Sequence, residues 1–309
     1  MSPGLPHEPR APGFVPRRRL KSFGIAAASA FFGLLVLFAW VGLRDGWKSP
    51  RIRELAVAGK KSEKSTLCVA ALNLAKLGFY SGGWSFESRG VLEARLELVA
   101  EALREIDADL VCLSEIVESG GPVPVDQVRG LAERGGYRCH VYVPNYDFGL
   151  PFLRVSSGNA ILSRLPLRRA RGQQLSGQRP FWAPTNNRRV LWCEVEVEGQ
   201  WTSLASIRND SFDLVQNAAQ VEELLDQLGH TGALLAGDFN ATPDSEPGRL
   251  WRAEASLGFP SGGAPTYPAF APSRRIDEVA WPASWELLEQ GVFDCGVSDH
   301  LGVFVRLHP

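Results

Sequence analysis

Among its 309 residues the chain has only five cysteines, Cys68, Cys112, Cys139, Cys193 and Cys295, and none forms a C-x-x-C pair. That absence excludes a zinc ribbon or a thioredoxin-type motif. The chain also lacks a G-x-S-x-G elbow, a Walker A loop, a G-x-G-x-x-G turn and an H-E-x-x-H helix, so the common routes to acyl transfer, nucleotide binding and zinc proteolysis have no signature here. Lysine all but disappears beyond residue 65, where Lys76 stands alone. The formal net charge of -1 conceals a division: residues 1–65 hold 12 Lys and Arg against 4 Asp and Glu, and residues 66–309 hold 21 against 30. A leader at +8 precedes a body at -9. With 45% hydrophobic and 22% charged residues, the chain is not wholly disordered, collagen-like or a small disulfide scaffold. Its length suffices for one large domain or two small ones with a sizeable core.

The leader reads in three parts. Residues 1–22 carry prolines at 3, 6, 9, 12 and 16 without apolar periodicity, which predicts a disordered tail; it ends in the basic run Arg17, Arg18, Arg19 and Lys21. Residues 23–43 run 21 residues without a charge. At ~1.5 Å rise per residue such a helix spans about 30 Å, the hydrocarbon thickness of a bilayer. A transmembrane anchor is expected. The small residues Ala26 to Ala30 precede the most apolar part and no A-x-A site follows, which disfavours a cleaved signal peptide, and the Arg-Arg-Arg-Leu-Lys run is only faintly like a twin-arginine signal. Lys and Arg number 5 over residues 1–22 and 6 over 44–63, so the count does not fix the orientation. The charges packed against the helix start favour a cytoplasmic N-terminus and a body outside the cytoplasm. Residues 44–65 are charged and aperiodic, as in a linker.

From Thr66 the texture changes. Thr66–Leu74 is a short apolar run with a polar Asn near its end, the pattern of a buried strand. Leu92, Leu96, Val99, Leu103 and Ile106 keep one face of a helix. Leu110–Leu113 reads as a second buried strand. Leu191, Cys193, Val195 and Val197 alternate with Trp192, Glu194, Glu196 and Glu198, predicting a half-exposed strand, and Gly199-Gln200 reads as a hairpin turn into Trp201–Ile207. Val215–Leu228 has the spacing of an amphipathic helix, and Ala233–Ala236, Ile276–Ala280 and Gly302–Arg306 read as further strands. No repeat or compositional break divides residues 66–309, so a single α/β domain is expected. The cysteines lie mostly in apolar strand-like runs, where buried thiols act as small hydrophobes.

Polar residues recur where apolar runs end: Asn73, Glu115, Asp238 and Asn240 in Gly237-Asp238-Phe239-Asn240, Asp277, and Ser298-Asp299-His300. Singly, each fits a turn, a surface acid or a structural histidine. Strands ending on one sheet edge would bring them together. In order, Leu72-Asn73, Asp109 through Ser114-Glu115, Gly158-Asn159-Ala160-Ile161-Leu162-Ser163, Gly237 through Asn240, Thr266-Tyr267-Pro268 through Arg275-Ile276-Asp277, and Ser298-Asp299-His300 resemble the endonuclease/exonuclease/phosphatase superfamily over about residues 66–309. The resemblance implies a DNase I-like fold, a four-layer α/β sandwich of two mixed β-sheets flanked by helices, here preceded by one transmembrane helix.

It also implies roles. Glu115, helped by Asn73, would hold a divalent metal, Mg²⁺ or Mn²⁺, as oxygen-rich ligands suit. His300 would act on the attacking water or contact the phosphate, with Asp277 orienting its ring. Asp238 would position or deprotonate the nucleophile, Asn240 would bind a phosphate oxygen, and Asp299 would orient the site or support a second metal. Two departures stand out. Many family members carry a catalytic His where this chain reads Ile207-Arg208-Asn209, and often a Gln where it has Ser114. Arg208 either reaches the phosphate or merely solvates a strand end.

Duplex binding relies on several Lys and Arg phosphate contacts, and the acidic body disfavours it without excluding it. Arg168-Arg169-Arg171, Arg188-Arg189 and Arg274-Arg275 offer grips for a small phosphate or a short single strand. A membrane-anchored phosphoesterase for a lipid-derived or small-molecule phosphoester is therefore expected ahead of an extracytoplasmic nuclease, and ahead of a non-catalytic binding module that the missing His would allow.

Overall fold

The structure, a computed structural model, describes residues 24–37, 49–56, 65–82, 85–120, 123, 125–150, 153–177, 187–229 and 232–309. Residues 24–37 form a helix, α1, with exposed side chains; the 1–22 tail, the rest of the 23–43 run and much of 44–65 lie outside the described residues. Among the described residues no helix is long and apolar enough to cross a membrane.

In chain order the body carries β1 (Arg53–Glu54), β2 (Leu67–Asn73), a 3-10 turn (Ala75–Gly78), β3 (Tyr80–Gly82), β4 (Ser85–Phe86), α2 (Arg89–Glu105), β5 (Leu110–Gly120), α3 (Gln127–Gly135), β6 (Cys139–Leu150), β7 (Leu153–Ser163) and β8 (Leu167–Gln174). There follow β9 (Arg189–Val197), β10 (Gln200–Arg208), α4 (Leu214–Leu225), β11 (Leu234–Asp238), α5 (Glu246–Ala253), β12 (Leu257–Gly258), β13 (Asp277–Pro282), β14 (Glu286–Phe293) and β15 (Gly302–His308). One sheet has the order β1-β6-β7-β5-β2-β15-β14 and the other β12-β13-β11-β10-β9-β8. Both are mixed, because β2 runs parallel to β5 and β10 parallel to β11 while their other neighbours run antiparallel.

The period-two pleat sorts the apolar residues into layers. Val69, Ala71, Leu110 and Cys112 face Leu191, Cys193, Leu204 and Leu234 across the gap between the sheets. Their sequence neighbours Ala70, Leu72, Val111 and Leu113 pack on Leu92, Leu96, Val99 and Leu131 of α2 and α3. On the far side, Trp192, Ala205, Ile207 and Leu235 pack on Val221, Leu224 and Trp251 of α4 and α5. The result is a helix–sheet–sheet–helix sandwich, the four-layer α/β class expected from the resemblance.

Three details differ from the sequence reading. Trp192 is not on a solvent face: it is buried beneath the second helical layer, and its Nε1 donates to Gln173 Oε1 at 2.9 Å. The hairpin turn lies one residue earlier, at Glu198-Gly199, since Gln200 already pairs with Val197. Both turn residues have positive φ, +49° and +78°, which matches the right-handed twist of the strands it joins. Inside the stretch read as a linker, β1 pairs with β6 at Arg53–His140 and Glu54–Cys139. All five cysteines are free and buried, as expected, and burial pushes the Cys68 thiol up to about 12.

The topology explains why distant polar residues meet. The parallel pairs β2/β5 and β10/β11 end at one edge of the sandwich. Because β13 is antiparallel to β11 and β15 to β2, their first residues lie at that same edge. The approach of β11 to β10 there is close: Gly237 has φ +150°, and a Cβ on it would lie 2.0 Å from the Ile207 carbonyl oxygen. Gly237→Ala is expected to destabilise the fold by about 2–4 kcal/mol, read as a fall in Tm on the order of 5–10 °C.

Candidate active site

Asn73 ends β2 and its amide is the hub of the edge. Its Nδ2 lies 3.0 Å from Asp238 Oδ2, 3.4 Å from Glu115 Oε1 and 3.5 Å from His300 Nε2, while its Oδ1 accepts from the Ala75 backbone N–H at 3.0 Å. Asp238, the last residue of β11, also accepts from Asn240, through the backbone N–H at 3.1 Å and the side-chain Nδ2 at 3.0 Å. That side chain bonds the Asn209 carbonyl as well, also at 3.0 Å, so Asn240 ties the β11 loop to the β10 loop.

Asp277, the first residue of β13, is buried, and its Oδ2 lies 2.9 Å from His300 Nδ1. Thr266 Oγ1 donates to the same oxygen at 2.6 Å. The imidazole rests against the Tyr267 ring at 4.7 Å between centroids, and the His300 backbone N–H donates to Ser298 Oγ at 3.1 Å. Ser298 Oγ in turn donates to the Asn73 carbonyl at 2.6 Å, tying the histidine loop to β2. Burial alone would lower the ring's pKa; the bond to Asp277, with the charges of Asp277 and Asp238, outweighs it and holds His300 up at about 9. Burial lifts Asp277 as well. The pair therefore binds one proton tightly, with Nδ1–H directed at Asp277 and Nε2 turned to the site.

Glu115 has a left-handed backbone, φ +51°, and its carboxylate is paired with two cations, Lys76 Nζ and Arg208 Nη2. Burial would raise its pKa; Arg208 first and Lys76 second reverse that and bring it to about 2. Glu115 is thus a permanent carboxylate. Arg208 closes β10 as a largely buried residue whose guanidinium pairs with Glu115.

Residues 84–300 match the endonuclease/exonuclease/phosphatase family over more than half of the chain. The chain belongs to that family. Its members act on phosphoester bonds, which places the protein among the phosphoester hydrolases. Among solved structures, an endonuclease/exonuclease/phosphatase from Beutenbergia cavernae superposes with a TM-score of 0.64 at 22% identity, covering 79% of this chain and 72% of that one. A mannosyl-6-phosphatase of Bacteroides thetaiotaomicron gives 0.59 at 19% identity, over 78% and 99% of the two chains. A humanized D. rerio TDP2 gives 0.58 at 16% identity, over 80% and 100%. At such identities the likeness establishes the shared fold. No curated protein sequence matches the chain.

Within this family frame, the structure gathers Asn73, Glu115, Arg208, Asp238, Asn240, Asp277 and His300, seven of the eight residues singled out from the sequence. Asp299 differs in being exposed, while its charge adds to the proton affinity of His300. Asp238, Asp277 and His300 each bring one ligand atom within 4.8 Å of the others, close enough for a metal. However, Asp277 Oδ2 is already bonded to His300 Nδ1. Glu115 and Asp238 suit a hard divalent cation better, with carboxylate oxygens; Asn73 turns its Nδ2 to both and would add an oxygen only after its amide rotates Oδ1 away from the Ala75 N–H.

Sequence reading missed Lys76, although it is the single lysine of the body and stands three residues past Asn73. It also gave Thr266 and Tyr267 no role, though their block carried part of the resemblance. Thr266→Val is expected to lower kcat by about tenfold, the effect of losing one hydrogen bond to a charged group, while Thr266→Ser restores it. Steady-state rates of the two variants decide this.

Proposed function

We propose that the protein is a divalent-metal-dependent hydrolase of a small or lipid-derived phosphoester, tethered through residues 23–43 with its catalytic body outside the cytoplasm. The observation that carries the reading is the meeting, around the Asn73 amide, of a metal-competent carboxylate, a second carboxylate and a histidine backed by a buried aspartate.

Each group has a task in that setting. Glu115 and Asp238, joined by Asn73 once its amide turns Oδ1 toward them, would hold the cation, which would supply Lewis-acid stabilisation of charge building on the phosphoryl oxygens. Asp238 orients a water and accepts its proton as the new P–O bond forms. Asn240, whose two amide hydrogens lie on Asp238 and the Asn209 carbonyl, exchanges the Asp238 bond for one to a phosphoryl oxygen, and Arg208 supplies guanidinium donors of fork geometry suited to the same group. His300 Nε2 faces the ester side and gives a proton to the departing alkoxide as the old P–O bond breaks. Asp277, Thr266 and Tyr267 keep the ring in place. Water and ester are thereby converted to alcohol and phosphate with all protons accounted for.

A compact substrate is favoured by how the arginine clusters are used. Arg168 and Arg169 pair with Glu194, and Arg168 also stacks on Trp201 at 4.0 Å. Arg171 bonds Gln227 at 2.8 Å and lies over Trp192, while Arg189 bonds Gln174 at 3.1 Å. Arg188 is buried with its Nε on the Asn209 carbonyl at 3.0 Å, and Arg275 pairs with Glu278. These pairings leave little of a basic track for a long polyanion, in keeping with a body at -9.

The test uses the full chain in detergent with plasmid DNA, RNA, phosphatidic acid, sphingomyelin and bis(p-nitrophenyl) phosphate as substrates. Hydrolysis is expected to vanish in excess EDTA and to return with Mg²⁺ or Mn²⁺. Undiminished turnover in chelator would sink the metal-dependent mechanism, and preferential cleavage of DNA or RNA would overturn the substrate assignment.

A further inference from the structure

Glu115 is paired with one cation more than its charge requires. Lys76 and Arg208 approach it from separate elements, a 3-10 turn after β2 and the end of β10. The turn that presents Lys76 is strained: Ala75, Lys76 and Leu77 all have left-handed backbones, with φ +44°, +60° and +53°. Such residues are individually unfavourable and persist where the surroundings over-determine them. Here the surroundings do so. Gln127, fully buried on α3, donates to the Lys76 carbonyl at 2.8 Å, Arg95 Nη1 donates to the Leu77 carbonyl at 2.7 Å, and Leu77 itself is buried. The fold thus holds the body's one lysine at the catalytic edge. Arg208 has capacity to spare, since its buried Nε has no hydrogen-bond partner.

The charges at this edge decide what such an arrangement can accept. Lys76 and Arg208 contribute two positive charges, and Glu115 and Asp238 two negative ones. A divalent cation on Glu115 leaves a local excess of two positive charges and deprives both side chains of their carboxylate partner. A phosphodiester returns one negative charge. A terminal phosphomonoester carries about -1.5 to -2 at pH 7 and offers three acceptor oxygens.

We propose that Lys76 and Arg208 are phosphate-binding residues parked on Glu115, released when a divalent cation takes that carboxylate, and that they select the dianionic terminal phosphate of a phosphomonoester. This rests on the phosphoesterase reading and deepens it. Two consequences follow from the exchange: the cation and the two side chains compete for Glu115, and the phosphate site assembles only after the cation binds.

The test has a binding arm and a kinetic arm on the full chain in detergent, for wild type, Lys76→Met, Lys76→Arg and Arg208→Gln, with Tm recorded for each. In calorimetric titrations Lys76→Met is expected to bind Mn²⁺ roughly tenfold more tightly than wild type, because a competitor has gone. Inorganic phosphate is expected to bind wild type only in the presence of Mn²⁺, and to bind Lys76→Met and Arg208→Gln at least tenfold more weakly. In the kinetic arm, wild type is expected to favour p-nitrophenyl phosphate over bis(p-nitrophenyl) phosphate in kcat/KM, with Lys76→Met and Arg208→Gln losing that preference and Lys76→Arg retaining most of it. Phosphatidic acid vesicles, run beside the soluble monoester, tell a lipid source of the phosphate from a soluble one. Weaker Mn²⁺ binding by Lys76→Met, metal-independent phosphate binding, or an unchanged monoester preference overturns the proposal. If wild type hydrolyses none of these esters the phosphoesterase reading fails instead, while the Mn²⁺ and phosphate titrations still judge the exchange.

Discussion

His300→Ala is expected to lower kcat by roughly 10³-fold, within the range general acid–base groups contribute, while leaving Mn²⁺ affinity within about threefold of wild type. The ring has little freedom in the folded protein. Nδ1 is held by Asp277 at 2.9 Å, one face rests on Tyr267, and the backbone beside it is pinned through Ser298 to the end of β2. That confinement is what turns an ordinary imidazole into an aimed one, since Nε2 then points to the same place in every molecule. Asp277 does more than orient. Its charge holds the ring's proton against the pull of burial, so Nε2 reaches the reaction protonated and able to donate to a leaving oxygen. Alanine removes the donor and leaves Asp277 buried without its partner, so a lower Tm accompanies the loss. His300→Gln, which keeps an amide donor, separates the two effects: a recovered Tm with kcat still depressed identifies the proton as the missing element. A His300→Ala enzyme with more than a tenth of wild-type kcat would show that the ring is not the acid.

Much of this site is legible in the sequence, for a physical reason. Residues at the ends of buried strands are few, and in a sheet of this topology they share an edge, so Asn73 and Asp238 could be picked from their place after apolar runs and Asp277 from its place before one; Glu115, read as a strand end, instead sits at an irregularity within β5, which runs on to Gly120. His300 was legible only through the order of motifs, because a histidine preceding a strand has no period of its own. Lys76 was missed since its placement depends on three left-handed residues in a row, a conformation that neither Ala, Lys nor Leu advertises. The opposite error fell on the arginine clusters. Arg168 and Arg169 look like a phosphate grip in sequence, yet the pleat places Glu194 on the neighbouring strand, with Arg168 directly opposite it, and the charges cancel locally. Trp192 was misplaced for a related cause: alternation separates the two faces of a strand but does not say that a helix covers the second.

Asp238→Asn is the second large effect, with kcat expected to fall by about 10³-fold and KM to stay within threefold. The substitution conserves shape, so its consequence is chemical. Three donors converge on this carboxylate: the Asn240 backbone N–H at 3.1 Å, the Asn240 side-chain amide at 3.0 Å and the Asn73 amide at 3.0 Å. An asparagine presents one oxygen and one NH₂ to them, so a donor must face a donor whichever way it turns. The Asn73 hub that also touches Glu115 and His300 then loosens, and the water loses the group that takes its proton. Base and acid act in one bond-making and bond-breaking event, so their loss is not additive. His300→Ala combined with Asp238→Asn is accordingly expected to lie within about tenfold of the slower single variant, far from the product of the two. A double variant that did fall to that product would mean the two residues serve separate steps. A single Asp238→Asn with kcat within tenfold of wild type would remove Asp238 from the chemistry and leave it the narrower task of holding Asn73 and Asn240.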